Sequence, residues 1–505
     1  MSNKISKLKL FINGKWIESK TDNYSNCYNP STGELTAMSP QCTKEEVGLA
    51  IKTAKEAFSK WASTPASQRV QVLFRMKTLV GEHLDELTEI CARENGKCWD
   101  EAKGDVLKAL EVIEFACGIP QLMKGDALMN CSSGYDTTQY KEPIGTFLGL
   151  CPWNFPAMIP HGWMLPICIA TGNTFILKPA KDVPLTSIRF MELWEKAGLP
   201  NGVVNMVTCD RHVSEYMIKH PDIAGISFVG STSVGQHIYT TAAQAGKRVQ
   251  ILGEAKNHAL VLKDCNLDRT ARGIINATYG CAGERCMALP AIVVEEDIAD
   301  DLVVLLKKYA QELKVGPAYN KTSSLGPVIS LQHKKAVTGW INKGVEEGAE
   351  LILDGRKISI QGYENGFYMG PTIFDHVKPG MSIGDDEIFG PVTCVKRVKN
   401  FEEGIELMNS NQFANGSVIY TQNGFHAREF VRRTHGGMVG VNVGIPVPLS
   451  VFGFTGHKKS FIGDLHVMGT DGVRFYTQLK SVTTHWFNER DAGKKVDTWD
   501  GMLNE

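Results

Sequence analysis

The stretch Tyr279-Gly-Cys-Ala-Gly-Glu-Arg-Cys-Met-Ala288 sets a cysteine in a glycine-bearing loop between a helical pattern and a strand-like run. A thiolate attacks a carbonyl carbon with little assistance, so Cys286 is the candidate nucleophile and a carbonyl compound the candidate substrate. The chain has thirteen cysteines, and a free cysteine is ordinarily a small core residue. Only its surroundings can set Cys286 apart. Cys281, on the same loop, is the internal comparison.

Three further stretches could supply partners. Pro152-Trp-Asn-Phe-Pro156 follows the apolar run Ile144 to Leu150. It reads as a structural turn, or as one that aims the Asn154 amide N–H at an oxyanion, a contact worth roughly 3 kcal/mol in a transition state. The run Ile223 to Val229 ends in Gly230-Ser-Thr-Ser-Val-Gly235 and leads into a helix. Glycines let backbone approach a pyrophosphate, and a helix N-terminus offers free N–H groups, although the spacing is not G-x-G-x-x-G and a plain turn is the alternative. Lys178-Pro179, at another strand end, is either solvated or a ribose or phosphate contact. In Glu387-Ile-Phe-Gly-Pro391 the carboxylate is either simply exposed or an acceptor for ribose hydroxyls.

The elements that must position these residues follow from periodicity. Thr43-x-x-Glu46 is a capping box that opens a helix with Val47, Ala50, Ile51, Ala54, Phe58 and Trp61 on one face. Helical spacing recurs through Val70, Leu73, Met76 and Leu79, then Leu84, Leu87 and Cys91, and again from Ala102 to Phe115. Residues 125 to 143 are polar and β-prone, an excursion from the body of the fold. Short apolar runs at Ile144–Leu150, Thr174–Lys178, Val203–Thr208, Ile223–Gly230 and Val249–Leu252 then alternate with helical patterns. That predicts a doubly wound parallel sheet, with ligands at the carboxyl ends of its strands. After Cys286 the alternation resumes with strands at Ala291–Glu295, Val392–Val398, Ser417–Thr421 and Met438–Val443 and helices at 297–313, 331–347, 402–410 and 426–433. A second α/β domain is the economical reading.

At 505 residues the chain calls for more than one domain. Its 54 basic and 55 acidic residues leave a formal charge of -1, which argues against nucleic acid or an anionic membrane as the main partner. Scattered cysteines without framework spacing suggest a reducing compartment, and no Cys/His cluster suggests a metal. Phe155 to Leu177, the most apolar stretch, is broken by Pro160, His161, Pro166 and Asn173 and does not read as a membrane span. No secretory or mitochondrial leader is apparent before Phe11, so the expected setting is cytoplasmic.

Taken in order, Phe11-Ile-Asn-Gly-Lys-Trp16, Asn29-Pro-Ser-Thr-Gly-Glu34, Pro152-Trp-Asn-Phe-Pro156, Gly172-Asn-Thr174, Lys178-Pro179, Phe228-Val-Gly-Ser231, Gly283-Glu-Arg-Cys286, Glu387-Ile-Phe-Gly-Pro391 and Tyr476-Thr-Gln-Leu-Lys480 resemble the aldehyde dehydrogenase superfamily end to end. Within it, Gly283-Glu-Arg-Cys-Met-Ala288, Ala255-Lys-Asn-His258 and Ile445-Pro-Val-Pro-Leu449 are most similar to the CoA-acylating branch of methylmalonate-semialdehyde dehydrogenases. The resemblance implies a Rossmann-like cofactor domain (1–128 and 148–255) and a catalytic domain (256–446). It also implies a β oligomerisation arm (129–147 and 470–505) and a segment returning to the cofactor domain (447–469). Cys286 would attack the aldehyde, with Asn154 holding the oxyanion and Arg285 and Lys108 the substrate carboxylate. Phe155, Lys178, Lys181, Gly230, Ser231, Val234, Glu387 and Phe389 would contact NAD. CoA would release the thioester, and the chain would form a homodimer or homotetramer.

Two departures refine this expectation. Hydrolytic relatives carry a glutamate base where this chain has Leu252, which cannot activate water; Glu254, two residues on, is the alternative base for a hydrolytic enzyme. Lys181 stands where NAD-preferring relatives commonly have glutamate, which removes a repulsion and predicts tolerance of NADP. A silent structural or binding protein on the same fold is the remaining alternative.

Overall fold

The computed structural model describes residues 5–132 and 134–486. The residues 487–505 expected in the arm lie outside them. Two large sheets organise these residues, with three smaller ones of two or three strands beside them.

The first sheet has eight strands, in the order Phe461–Ile462, Arg248–Leu252, Ile223–Val229, Thr146–Leu150, Thr174–Lys178, Val204–Met206, Leu10–Ile12 and Lys15–Ile17. Its middle strands, from Arg248–Leu252 to Val204–Met206, run parallel. The hairpin at residues 10–17 closes one edge antiparallel, and Phe461–Ile462 closes the other. The chain winds outward in both directions from Thr146–Leu150. The topological switch point therefore falls between that strand and Ile223–Val229, where a ligand crevice is expected.

Helices cover both faces because the parallel strands are buried on both sides. Lys44–Ser63 begins with the expected reciprocal cap: the Thr43 hydroxyl accepts from Glu46 N–H, and the Glu46 carboxylate accepts from Thr43 N–H at 2.8 Å. Ala66–Glu82, Leu84–Asn95 and Trp99–Cys117 pack with Trp163, Trp194 and Phe147 into one continuous core.

The second sheet has seven strands, in the order Glu350–Leu353, Thr372–Asp375, Val392–Val398, Ala291–Glu295, His258–Val261, Gly416–Tyr420 and Met438–Val441. It is parallel except at the first pair. The expected strands recur within a residue or two. His258–Val261, Glu350–Leu353 and Thr372–Asp375 are additional: each is too short to show a period, and His258 and Asp375 interrupt the apolar signal.

The polar excursion forms a small three-stranded sheet, in which Ala127–Ser132 and Tyr135–Pro143 are joined by Thr477–His485. Thr146 and Phe147, expected in the arm, belong instead to the first sheet, where burial of both faces holds them. Asn173 fastens the two sheets: its Oδ1 accepts from Ile144 and Gly145 N–H, and its Nδ2 donates to the Tyr476 carbonyl at 2.7 Å. No helix among the described residues is long and apolar enough to cross a membrane.

Candidate active site

The cysteine loop leaves the helix Leu267–Tyr279 and turns through Cys281, Ala282 and Gly283, all in the left-handed region with φ of 50°, 53° and 75°. Only glycine fits at 283, since a Cβ there would lie 2.1 Å from the carbonyl oxygen of Gly390. That close approach docks the nucleophile loop on the Glu387–Pro391 turn. Two asparagines of the second sheet hold the far side. The Cys286 carbonyl accepts from Asn257 Nδ2 at 2.9 Å and from Asn415 Nδ2 at 3.0 Å. Glu284, fully buried, accepts from Ile329 N–H at 3.0 Å and ties the loop to a third segment.

Cys286 is partly accessible and lines a cavity of about 380 Å³ with Phe155, Met158, Trp163, Met287 and Arg285. Its thiol is pushed up to about 12, first by burial and then by the Glu387 carboxylate; the backbone N–H groups of Cys286 and Met287 and the Arg285 guanidinium pull the other way. The free site therefore holds a thiol that needs an added positive charge or a base to ionise.

Asn154 is buried and comes within reach of the same loop, where its Nδ2 donates to the Glu284 carbonyl at 3.3 Å. Its Oδ1 has no partner. The turn that carries it is clamped by Lys97, whose ammonium donates to the Asn154 carbonyl at 2.6 Å and to Asp105 Oδ2 at 2.9 Å and lies 3.8 Å from the centre of the Phe155 ring. Asp105 in turn accepts from Met158 N–H at 2.7 Å. Nothing in the spacing of Lys97 and Asp105 marks them as partners of residue 154; the link is made only by the fold. If the Asn154 amide serves a developing oxyanion, Asn154→Ala is expected to lower kcat by about 10² to 10³ with little change in KM, measured by steady-state NADH formation.

Arg285 faces the cavity, but its donors are already engaged. Nη2 pairs with Glu101 at 2.9 Å, Nε reaches the Cys281 sulphur at 3.3 Å, and Nη1 reaches the Asn276 carbonyl at 3.4 Å. Lys108 does not line this cavity. Its ammonium contacts both carboxylate oxygens of Glu111 at 3.0 and 3.1 Å and the Pro448 carbonyl at 2.8 Å. This corrects its expected place beside the substrate: helical spacing puts Glu111 within reach and holds the lysine there. Phe155 lies on the wall of the Cys286 cavity.

A second cavity, of about 690 Å³, lies across the carboxyl ends of the first sheet. Lys178, Lys181 and Val234 line it as expected, together with Trp153, Arg211 and Phe228. Gly230 and Ser231 form the strand-to-helix turn beside it, Gly230 N–H donating to the Leu252 carbonyl at 3.1 Å and Ser231 starting the helix Thr232–Gln244. Glu387 is half-buried, accepts from Ala255 N–H at 2.9 Å, and has its carboxyl pushed up to about 8 by desolvation, with Glu254 adding a smaller repulsion. Phe389, at φ 58°, packs edge-on to Trp153 with ring centroids 5.4 Å apart. Apolar walls for a base and lysines for phosphates make this crevice fit a dinucleotide.

Over residues 16–482 the chain matches the model of the aldehyde dehydrogenase family. The chain belongs to the aldehyde dehydrogenase family. Among its relatives, a malonate-semialdehyde dehydrogenase of Bacillus pumilus is 46% identical over 95% of this chain and 99% of its own. A malonate-semialdehyde dehydrogenase 2 of Geobacillus kaustophilus is 45% identical over 96% of this chain and 100% of its own. The methylmalonate-semialdehyde dehydrogenase structure from Oceanimonas doudoroffii superposes with a TM-score of 0.94 at 39% identity, covering 96% of this chain and 99% of that one. A structure from Sinorhizobium meliloti, solved in complex with NAD, gives a TM-score of 0.94 at 41% identity, covering 96% of this chain and 99% of that one.

As an aldehyde dehydrogenase, the chain places Cys286, Arg285 and Phe155 on one cavity and Lys178, Lys181 and Val234 on the other, with Lys108 on neither. Sequence reasoning passed over Lys97, Asp105, Glu101 and Asn415. The first three lie within one short stretch around the start of the helix Trp99–Cys117, an unusual density of charge at buried positions and the one signal that could have drawn attention there.

Proposed function

We propose that this chain is an NAD-dependent, CoA-acylating semialdehyde dehydrogenase acting on malonate or methylmalonate semialdehyde. The Cys286 thiolate attacks the aldehyde, and Asn154 Nδ2 with the Cys286 backbone N–H holds the oxyanion. A bound nicotinamide supplies the hydride acceptor. Lys178 and the Gly230–Ser231 turn hold its dinucleotide, Glu387 accepts ribose hydroxyls, and Lys181 gives room and charge for NADP as a second choice. The hemithioacetal loses hydride to leave a Cys286 thioester, which the CoA thiol takes over. Loss of a β-carboxylate as CO₂ then yields propionyl-CoA or acetyl-CoA.

The observation that favours CoA over water concerns the two positions where a hydrolytic base is expected, Leu252 and Glu254. Leu252 is apolar and buried. Glu254, the alternative base, accepts from Thr232 N–H at 3.0 Å and does not line the Cys286 cavity. Glu101 and Asp105 are paired with Arg285 and Lys97, and Asp100 is exposed. With neither Leu252 nor Glu254 able to serve as a base beside the thioester, a thiol acceptor is favoured over water. Steady-state NADH formation is expected to fall to a single-turnover burst when CoA is omitted, with an acyl-CoA found by mass spectrometry when it is present. Undiminished turnover without CoA would establish the hydrolytic reading instead.

All thirteen cysteines are free thiols, which supports a reducing, cytoplasmic setting. The arm sheet exposes Leu128, Met129 and Leu479, which supports docking against a second copy in a homodimer or homotetramer.

A further inference from the structure

The wall beside Cys286 is lined by one arginine, and that arginine is already bound. Glu101 enters from the first turn of the helix Trp99–Cys117 and divides its two oxygens: Oε1 accepts from Arg285 Nη2 at 2.9 Å and Oε2 from Cys281 N–H at 2.7 Å. Both side chains are largely shielded, at 15% and 17% exposure, so the pair is not screened as a surface pair would be. The lining adds the apolar Phe155, Met158, Trp163, Met287, Ile445 and Val447 and two more carboxylates, Asp100 and the Lys97-paired Asp105. Lys108, the other cation expected for a carboxylate, is held by Glu111 and Pro448 outside this lining. A substrate carboxylate entering here finds the one arginine of the wall already paired.

Glu101 also lines a neighbouring cavity of about 330 Å³, on the wall of which stands Arg272. The glutamate thus has a second place to go if it leaves Arg285, beside a guanidinium that Asp268 holds through Nε at 3.1 Å.

We infer that Glu101 is a specificity-determining residue: it occupies Arg285 in place of a substrate carboxylate, so that a carboxylated aldehyde binds by exchanging with Glu101, while an uncharged short aldehyde is accepted without that exchange. The inference rests on the proposed use of Arg285 as the carboxylate clamp. It adds a second activity, oxidation of neutral aldehydes such as propanal, and names the group that sets the balance. A carboxylate bound bidentately to Arg285 would take over the Nη2 contact and leave Glu101 to turn toward Arg272.

The test is the ratio of KM for malonate semialdehyde to KM for propanal. Glu101→Gln keeps the side-chain length and one acceptor, enough for Cys281 N–H, but its NH₂ cannot accept from Arg285. The ratio is expected to fall about tenfold in Glu101→Gln, and in the same direction in Glu101→Ala, because the internal competitor for the guanidinium is gone. A merely structural role would move both KM values together and leave the ratio alone; that result, or a rising ratio, overturns the inference. Arg285→Gln separates the two layers. If it raises the ratio while the Glu101 variants do not lower it, the clamp stands and the exchange fails. If it leaves the ratio unchanged, the clamp itself fails and the inference with it. In Glu101→Gln/Arg285→Gln the gain from the first change is expected to vanish.

Discussion

Replacing Cys286 by alanine is expected to abolish the NADH burst and lower kcat by about 10⁴ or more, whereas Cys281→Ser retains the burst. The two thiols share a loop and a cavity wall, so the contrast tests geometry rather than the presence of sulphur. Cys281 is fully buried, held at φ 50°, accepts from Arg285 Nε, and has its thiol raised to about 11 chiefly by burial. Serine can keep that acceptor role. Cys286 has the accessible sulphur and the fixed carbonyl behind it.

The pH dependence follows from the direction of its shift. A thiol raised to about 12 by burial and by Glu387 is almost wholly protonated near neutrality, so alkylation of the free protein by iodoacetamide is expected to climb with pH and show no plateau up to pH 10. Above pH 8, where Glu387 is ionised, Glu387→Gln removes a negative neighbour and lowers the thiol pKa, which speeds alkylation at a fixed pH. NAD, whose nicotinamide brings positive charge, is expected to do the same. A plateau near pH 8 in the free protein would contradict the charge arrangement around the sulphur.

How much of this could be read from the residues alone depends on the length scale of the signal. The capping box at Thr43 and Glu46 is local, and it forms as expected. The parallel strands of the first sheet are apolar runs of five to seven residues, long enough to stand out, as at Thr146–Leu150 and Ile223–Val229. Strands as short as His258–Val261 carry too few residues for a period, and only pairing with Ala291–Glu295 and Gly416–Tyr420 makes them strands. Within the site, the residue types at 154, 286 and 387 were legible because their motifs sit beside strand ends. Side-chain direction was not. Lys108 and Arg285 both looked like free cations, and each proves to be claimed by a glutamate that no spacing rule would have ranked above a substrate. For Lys108 that glutamate is one helical turn away; for Arg285 it comes from a distant part of the chain, which only the tertiary fold can supply.

The largest loss of stability is expected from Lys97→Met. Both members of the Lys97–Asp105 pair have fully shielded side chains. Burial alone would lower the lysine pKa, yet the Asp105 carboxylate more than offsets this and leaves it raised. Removing the cation strands Asp105 in the interior, still bound to Met158 N–H, and deprives the Asn154 carbonyl of its donor. Breaking one side of such a pair costs about 3–5 kcal/mol, to be read as a drop in the urea midpoint. The double variant Lys97→Met/Asp105→Leu takes both charges out together and is expected to recover most of that midpoint, since an apolar pair of similar volume often matches a buried ion pair. Activity should not recover with it. The Lys97 ammonium is also the contact that fixes the backbone of Asn154 and faces the ring of Phe155, on opposite sides of the same turn. Without it the oxyanion donor loses its anchor, and a displacement near 1 Å is enough to cost about 10² in rate. Full activity in the double variant would show that the turn is held by its prolines and by Asn95, whose Nδ2 donates to the Trp153 carbonyl at 2.8 Å, and that the buried lysine serves stability alone.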